Sequence, residues 1–396
     1  MLLPLSVVTW VVSVTLVEIC FDALYQMHQN SFNFHNIAIY SILVLCCTEG
    51  VSMLQNWLLR SWYQGAAWLL LLRPLEWLYL LLRWLHQTGR HTVADNPLPL
   101  VVVGNLNMGG VGKTPLVAAL VEHFQRQGWR PAVISRGYRA MAQQFPHLVN
   151  TTDTASYTGD EPLMLHRMTG APVVIDPQRH RACQWLARNT NCNVVISDDG
   201  LQHPGLQADI AIVVVDGSRG FGNGRCLPAG PLREPLIRLC SIDLVVVNGI
   251  ANKRLCWQLR RAGQTSYAII QPQLQTLFRV VDDQPVPWPD IGKPVRAIAA
   301  VGDPQRFFEQ LESMGYQIEG HAFGDHHAYS AKDFPWQDQV PLLMTAKDAV
   351  KCKALVADAR QAWFYCPQSL SLPDQLKQLL GQRLQQAGPM QKESHG

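Results

Sequence analysis

The sequence has few charged residues, little net charge and no cysteine pattern typical of a metal site. Of its 396 residues, 16% are charged and 48% are hydrophobic, and the formal net charge is +3. So small a charge gives no reason to expect nucleic acid as a partner, whereas the apolar balance favours contact with a membrane. The ten cysteines form no CxxC pair and no Cys/His cluster at zinc spacing. We therefore expect buried free thiols in a reducing compartment.

The first 52 residues lack the basic flank that a secretory signal peptide carries. No Lys or Arg precedes Arg60, although apolar runs cover residues 1–17 and 37–47. The first run has the length of a short membrane span, and the second is too short to cross a bilayer. Residues 1–52 are interpreted either as natural sequence with one such span or as an atypical extension with a mis-assigned start. In the second interpretation, Met53 is the candidate first residue of the natural protein.

The next segment, residues 53–92, is rich in leucine and tryptophan and is predicted to be helical and membrane-associated. Five tryptophans lie between positions 57 and 84, and charged residues separate the apolar runs 66–72 and 77–82. Tryptophan and arginine suit the headgroup zone of a bilayer, which favours a helical hairpin within one leaflet. A proline at position 74 is expected to kink the segment. A tilted span and a buried core helix are the alternatives.

The most informative segment is 101–116, where a β-branched run leads into a glycine-rich turn and then into a predicted helix. Backbone N–H groups of such a turn and the amino terminus of the helix bind phosphate. Lys113 would reach the outer phosphates, and the Thr114 hydroxyl would hold Mg²⁺. Asn107 stands at the usual first glycine, and because asparagine tolerates a left-handed backbone we expect the turn to form. The other candidate phosphate-binding residues are Gly109, Gly110, Val111 and Gly112.

From residue 93 onward, short apolar strands alternate with helices, which indicates an α/β fold. Several strands are apolar on both faces, as in a parallel sheet covered by helices. We predict a P-loop domain with a parallel sheet over 93–271, a proline-rich linker at 272–294, a second, smaller α/β domain over 295–384 and a polar tail at 385–396. The predicted strands are 98–103, 131–135, 172–175, 193–197, 210–215, 244–247 and 296–301, and the predicted helices include 114–127 and 304–315.

Two motifs carry adjacent carboxylates. Asp198 and Asp199 follow the apolar run 193–197, where P-loop proteins place an acid that binds Mg²⁺ directly or through water. Their side chains point to opposite sides, so only one is expected to face the metal. Asp160 and Glu161 lie at a predicted helix start, where the helix dipole favours negative charge, and capping alone would explain them equally well.

Four further motifs, each taken alone, are more typical of turns, core packing or charged surfaces than of functional sites. Histidine is suited to proton transfer near neutral pH, and an arginine after a strand could meet phosphate. The motifs are Asp325-His326-His327, Ser135-Arg136-Gly137-Tyr138-Arg139, Leu227-Pro228-Ala229-Gly230-Pro231-Leu232-Arg233-Glu234 and Thr345-Ala346-Lys347-Asp348-Ala349-Val350-Lys351.

Taken together and in order, these motifs resemble those of the lipid A 4′-kinase (tetraacyldisaccharide 4′-kinase) family. The set is GNLNMGGVGKTP, SRGYR, GDEP, DDGLQH, LPAGPLRE, GDHHAYS and TAKDAVK, and the resemblance extends from Met53 to the low 370s. It implies a P-loop kinase with an amino-terminal membrane helix and two α/β domains that close over nucleotide. It also implies transfer of phosphate from ATP, with Mg²⁺, to the 4′-hydroxyl of an acylated glucosamine disaccharide, a lipid A precursor.

Residue by residue, the resemblance implies a catalytic group drawn from distant parts of the chain. Asp160 matches the family's proposed catalytic aspartate, which would accept the proton of the sugar hydroxyl. His326 matches the histidine thought to pair with it, and Lys113 would offset charge on the phosphates. Because Asp160 and His326 lie in different predicted domains, domain closure would be a condition for transfer.

The resemblance also implies which residues hold metal and nucleotide. The predicted Mg²⁺ ligands are Thr114, Glu161, Asp198 and Asp199. Arg233 and Glu234 match a family pair expected to contact nucleotide or substrate, in addition to the residues of the phosphate-binding loop. The enzyme would work at the cytoplasmic face of the bacterial inner membrane, as a peripheral or monotopic protein.

The sequence departs from the family pattern at three places. Residues 1–52 lie outside it, and Asn107 stands where a small residue such as Thr or Ser is common. Ala346 stands where an acid is common, which weakens any role for its loop.

Two other functions remain alternatives: a membrane-docked P-loop ATPase switch acting on a protein partner, and a P-loop ligase or metallochaperone. A switch would not need a base such as Asp160, and a metallochaperone would usually carry a CxxC motif. The expected partners are the lipid substrate and the inner-membrane surface, with no nucleic acid and no obligate protein partner.

Overall fold

The computed structural model describes most of the chain from residue 57 onward, and these residues form two compact units. The smaller unit contains the residues up to Thr88 together with Phe221–Pro235, and the larger unit contains the rest. The predicted extension 1–52, the start candidate Met53 and the end of the predicted tail lie outside the described residues. The described residues are 57–88, 96–203, 206–336, 338, 340–356 and 362–387.

The smaller unit begins with a bent helical segment. Helix α1 covers Trp57–Gln64, a 3-10 helix covers Ala67–Leu72, and helix α2 covers Arg73–Thr88. The chain bends by 96° between α1 and the following helical stretch, at a glycine, Gly65, with φ +74°. The predicted kink at position 74 is therefore wrong. That proline is the second residue of α2, where its missing N–H costs no intrahelical hydrogen bond.

Helix α2 has one face packed in the smaller unit and one face exposed. On the packed side, the Glu76 carboxylate accepts a hydrogen bond from the Cys226 backbone (2.8 Å), and Tyr79 donates to the Arg233 carbonyl (2.9 Å). The exposed side carries large apolar residues, which are Trp77, Leu78, Leu81, Leu82, Trp84 and Leu85. Among the described helices, none alone is long and apolar enough to cross a membrane, whereas the bent pair passes that test by length and composition.

The larger unit contains an eight-stranded sheet in the order β3-β4-β2-β5-β1-β6-β7-β8. Its strands are β1 Leu100–Gly104, β2 Pro131–Ser135, β3 His147–Leu148, β4 Val173–Ile175, β5 Val194–Asp198, β6 Ile210–Asp216, β7 Leu244–Asn248 and β8 Ala268–Ile270. All neighbours pair in parallel except β3 with β4. The central strands are buried along their whole length, as helices on both faces require. The six strands predicted for this sheet are present, with ends within two residues of those predicted.

Helices cover this sheet, and one of them comes from the carboxyl terminus. The helices of this layer are α3 Lys113–Arg126, α4 Ala155–Thr158, α5 Asp160–Thr169, α6 Arg179–Asn189, α7 Lys253–Arg261 and α10 Asp374–Ala387. Apolar residues at the helical spacing of α10, Leu376, Leu380 and Leu384, are buried in the same core as the apolar face of α3. The chain thus returns to the first sheet after completing the second.

The second sheet of the larger unit has six strands in the order β11-β10-β15-β14-β12-β13. The remaining elements are β9 Gln273–Leu274, β10 Leu277–Arg279, β11 Pro285–Val286, β12 Pro294–Ala299, α8 Pro304–Ser313, β13 Gln317–Ala322, β14 Leu342–Thr345, α9 Ala346–Cys352, β15 Trp363–Cys366 and β16 Gln368–Ser369. Strands β13, β12, β14 and β15 are parallel to one another, whereas β10 pairs antiparallel with both β15 and β11.

The segment predicted as a linker, 272–294, is more ordered than its prolines suggested. It contains β10 and β11, which extend the second sheet, and β9, which pairs with β16. Proline is compatible with these positions because β11 is an edge strand, where a missing N–H breaks no ladder. The division into the predicted domains stays a prediction, with this segment contributing strands to the second of them.

Candidate functional site

The glycine-rich loop joins the carboxyl end of β1 to α3, and its turn is formed by glycines. Gly109 and Gly112 have φ of +88° and +83°, values that suit glycine. Asn107 is not among the described residues with positive φ, so its expected left-handed backbone is wrong. Its buried side chain instead donates a hydrogen bond to the carbonyl of Gly220 (2.9 Å). The loop therefore forms without a glycine at its first position.

Asn105, which the sequence analysis did not single out, organises the loop from beneath. Its side chain is fully buried and donates to the carbonyls of Asn107 (2.8 Å) and Gly109 (3.2 Å). Its Oδ1 accepts a hydrogen bond from Lys113 Nζ (2.9 Å). A single amide thus sets both the path of the loop and the position of the lysine. Nothing in the sequence marks it, because its partners are backbone atoms of its own loop.

The structure brings the two adjacent aspartates to this loop. Asp198 ends β5, and the next residue, Asp199, has φ +53° and lies 3.2 Å from Lys113 Nζ. Asp198 is buried, and its Oδ1 has no hydrogen-bond partner among the described residues. Burial, followed by the negative charge of Glu161, raises the pKa of Asp198 to about 7. Burial and the neighbouring carboxylate therefore disfavour the charged form of this group, and a nearby positive charge would favour it.

Asp160 and His326, far apart in the chain, are in contact. Asp160 is the first residue of α5, following Gly159 with φ +93°. Its Oδ2 lies 3.0 Å from His326 Nδ1, and both side chains are largely buried. The His326 ring also packs against that of Tyr138, with centroids 5.3 Å apart. His326 has φ +61°, a strained value for a non-glycine residue that is often found at functional sites.

A lysine from the motif at 345–351 completes this group. Lys347 Nζ lies 2.9 Å from Asp325 Oδ1, 3.3 Å from Glu161 Oε1 and 3.4 Å from His326 Nε2. Burial opposes its charge, but attraction to Glu161 and Asp325 outweighs burial and raises the pKa of Lys347. The group therefore joins α5 and the second sheet through ionic contacts.

A second set of contacts joins the second sheet to the glycine-rich loop. Arg306 of α8 donates to Asn248 Oδ1 (2.7 Å), and Asn248 Nδ2 donates to the carbonyl of Val111 (3.0 Å). On the other side of the loop, Arg219 donates to the carbonyl of Gly110 (2.8 Å). These residues belong to no recognisable motif, so only the structure reveals that they hold the loop.

Arg233 and Glu234 lie in the smaller unit. The Arg233 carbonyl accepts a hydrogen bond from Tyr79 of α2, and the buried Glu234 carboxylate forms an ion pair with Arg83 of the same helix. These contacts anchor the loop after residue 221 to α2. The predicted contact of this pair with nucleotide or substrate stays a prediction.

The candidate Mg²⁺ ligands are Thr114, Glu161, Asp198 and Asp199. Among the residues that the structure describes, no three His, Cys, Asp or Glu groups are placed to hold a metal by themselves. Mg²⁺ in kinases is usually bound by one or two carboxylates, waters and substrate phosphates rather than by an all-protein cage. Asp198 Oδ1, for which no described residue is a hydrogen-bond partner, fits such a site.

Comparison with known proteins gives one consistent family. The family described as "Tetraacyldisaccharide-1-P 4′-kinase" matches residues 68–385. The tetraacyldisaccharide 4′-kinase of Hahella chejuensis is 44% identical over 320 residues, which cover 78% of this chain and 90% of that protein. That of Pseudomonas fluorescens Pf-5 is 42% identical over 341 residues, covering 82% and 99%.

A solved structure gives the same answer for the fold. The crystal structure of LpxK from Aquifex aeolicus in complex with ATP matches with a TM-score of 0.63 and 25% sequence identity. The match covers 79% of this chain and 98% of that one. The predicted α/β fold, with a parallel sheet covered by helices, is confirmed.

Proposed function

The chain belongs to the tetraacyldisaccharide 4′-kinase family, and from this premise we propose how its residues transfer phosphate. It is an ATP-dependent kinase of lipid A biosynthesis that phosphorylates the 4′-hydroxyl of an acylated glucosamine disaccharide. The observation that carries the proposed mechanism is the contact between Asp160 Oδ2 and His326 Nδ1, which lie 3.0 Å apart. A pure ATPase switch would have no need of an aspartate held in this way.

The glycine-rich loop binds the phosphate chain of ATP in this proposal. Its backbone N–H groups and the amino terminus of α3 face the phosphates, as expected for this type of loop. Lys113, which is oriented by Asn105 and paired with Asp199, presents its ammonium group to the outer phosphates. Since Asn105 and Asp199 already hold Lys113 in place, little side-chain entropy is lost when the nucleotide binds.

The residues around Asp198 suit Mg²⁺. Within the part of the chain that the structure describes, the buried Asp198 Oδ1 has no hydrogen-bond partner. Burial, together with the negative charges of Glu161 and Asp199, raises the pKa of Asp198, so a divalent cation would stabilise the charged carboxylate. Thr114, Glu161, Asp198 and Asp199 would hold the ion between them, directly or through water. When bound, Mg²⁺ supplies positive charge to the β- and γ-phosphates.

Asp160 acts as the base for the attacking sugar. It accepts the proton of the 4′-hydroxyl as the oxygen forms its bond to the γ-phosphorus. The bond between the γ-phosphorus and the bridging oxygen breaks, and ADP leaves with that electron pair. His326 Nδ1, 3.0 Å from Asp160 Oδ2, donates a hydrogen bond that holds the carboxylate in position.

We also propose that the enzyme contacts the membrane, since its substrate is a lipid. The support is the exposed apolar side of α2, where Trp77 and Trp84 are 60% and 59% exposed. So large an apolar surface is unusual on a protein that contacts only water, and tryptophan suits the bilayer interface. We propose that this side enters the cytoplasmic leaflet of the inner membrane without spanning it, and that no protein partner is required.

A transfer assay tests the function directly. The full chain in detergent micelles is given ATP labelled in its γ-phosphate, with and without the acylated disaccharide 1-phosphate. The proposal expects labelled lipid whose new phosphate is at the 4′-position. ATP hydrolysis at equal rates with and without the lipid, and no labelled lipid, would favour the ATPase switch.

A further inference from the structure

Lys347 is a buried cation in the site that the proposed mechanism does not use. We propose that Lys347 is a positioning residue whose ammonium group orients the His326 ring and fixes its tautomer, so that Nδ1 faces Asp160 with a proton to donate. This inference rests on the proposed pairing of His326 with Asp160 as the base.

The backbone around Lys347 is firmly held. Lys347 is the second residue of α9, whose first turn is capped by Thr345, with Oγ1 accepting the N–H of Asp348 (3.2 Å). The Asp348 carboxylate is fully buried and accepts hydrogen bonds from the Ala300 N–H and the Tyr329 hydroxyl, each at 3.2 Å. The start of α9 is therefore a rigid base for the lysine side chain.

The three donors of the ammonium group match three acceptors. Asp325 Oδ1, Glu161 Oε1 and His326 Nε2 all lie within 3.4 Å of Lys347 Nζ. Charge-assisted hydrogen bonds to the two carboxylates hold the lysine. The third direction is left for the ring nitrogen. Because an ammonium group can only donate, His326 Nε2 must be the acceptor nitrogen.

The tautomer of His326 follows from this contact. With Nε2 as the acceptor, the ring proton lies on Nδ1, the nitrogen 3.0 Å from Asp160 Oδ2. That is the arrangement in which His326 donates to the Asp160 carboxylate. In histidine sites the hydrogen bond of one ring nitrogen commonly decides the state of the other. Without Lys347, either ring nitrogen could carry the proton.

Lys347 also holds the strained turn that presents the ring. His326 has φ +61°, and such a conformation persists only where the surroundings hold it. Lys347 binds the side chain of Asp325, the preceding residue, as well as the ring itself. The side chain of the residue before His326 and the His326 ring thus both contact one ammonium group.

The test is a kinetic comparison of Lys347→Met with Lys351→Met. Lys351 lies one turn further along α9, and its side chain is 6% exposed, against 10% for Lys347. It pairs with Asp348 at 3.0 Å, so it serves as a matched control for the loss of a largely buried lysine. For Lys347→Met we expect kcat to fall about 10- to 100-fold, as for a misplaced catalytic group, with KM for ATP within about threefold of wild type. Lys351→Met should keep the wild-type kcat. Equal losses in both variants would overturn the proposal.

Two further measurements separate positioning from charge balance. The double variant Lys347→Met/His326→Ala should be no slower than His326→Ala, because the lysine acts through the ring. Losses that multiply would overturn the proposal. If raised Mg²⁺ restored the kcat of Lys347→Met, the lysine would act on the metal ligand Glu161 instead, which would also overturn it. Should Lys347→Met not fold, Lys347→Gln is measured in the same way.

A spectroscopic readout does not depend on transfer. In ¹⁵N-histidine-labelled full-length protein, long-range ¹H–¹⁵N spectra report the tautomer, and the His326 signals are identified as those lost in His326→Ala. We expect Nδ1–H in the wild type and a mixture of tautomers in Lys347→Met. An unchanged tautomer in Lys347→Met overturns the inference. Absence of transfer by the wild type would instead count against the proposed function.

Discussion

The contact between Gly112 and Asn248 predicts a large effect from one added methyl group. A Cβ atom at Gly112 would lie 2.2 Å from Asn248 Nδ2, so Gly112→Ala must displace that amide. Asn248 would then lose its hydrogen bond to Val111, worth about 1 kcal/mol, and its bond from Arg306, worth about 2 kcal/mol because the donor is charged. The left-handed φ of +83° adds about 1–2 kcal/mol for alanine.

Gly112→Ala should therefore cost about 4–5 kcal/mol in total, as lost stability, lost affinity for ATP or both. Two other left-handed glycines serve as controls, Gly263 outside the loop and Gly109 within it, since an added Cβ meets nothing within 4 Å at either. Their alanine variants should show only the backbone strain, about 1–2 kcal/mol. The free energy of unfolding is measured by urea denaturation and ATP binding by calorimetry. If Gly112→Ala matched Gly263→Ala in both, Asn248 would not brace the loop and the reasoning would be refuted.

Two other predictions concern the nucleotide site and the membrane face. Lys113→Ala and Thr114→Ala should each lower kcat on the order of 100-fold or more, because each removes a preorganised electrostatic group at the phosphates; near-normal turnover in either variant would refute the loop assignment. Leu78→Asp and Leu81→Asp place charges on the exposed side of α2, where the leucines are 50% and 51% exposed. They should reduce flotation with anionic liposomes while ATP binding stays at the wild-type level, and undiminished flotation would argue against membrane contact through this face.

The first sheet was predictable because its signals are local. Strands such as β2 and β5 are continuous apolar runs, and burial on both faces is what such runs imply. The glycine-rich loop was equally clear, since strand, turn and helix follow one another in sequence. The expectation of a left-handed backbone at Asn107, the first position of the loop, was wrong. The Asn107 side chain donates a hydrogen bond to the carbonyl of Gly220 instead.

Two prolines lie at positions in the structure that their sequence context did not predict. Pro74 was expected to bend the amino-terminal segment, but it lies in the first turn of α2, and the bend falls at Gly65. Pro285 was expected in a linker, but it lies in the edge strand β11. In both cases proline restricts the chain without ending an element, because the N–H it lacks has no obligatory partner there.

The candidate site was predictable only in part. Asp160 and His326 were named through resemblance to a family, since nothing local links two residues 166 positions apart. The motif that contains Lys347 received no role from the sequence, because the partners of the lysine lie in two other parts of the chain, at Glu161 and at Asp325 and His326. Such convergence depends on the packing of α9 against α5, which no local pattern reports.

The central claim, that Asp160 is the base for phosphate transfer, is tested most directly by the transfer rate of Asp160→Asn. Asparagine keeps the shape and can still hydrogen-bond to His326, but it cannot take the proton of the 4′-hydroxyl. With labelled ATP and the acylated disaccharide at saturation, we expect kcat to fall about 100- to 10,000-fold, while the Kd for ATP changes by less than about threefold. A transfer rate close to that of the wild type would contradict the account and remove Asp160 as the base.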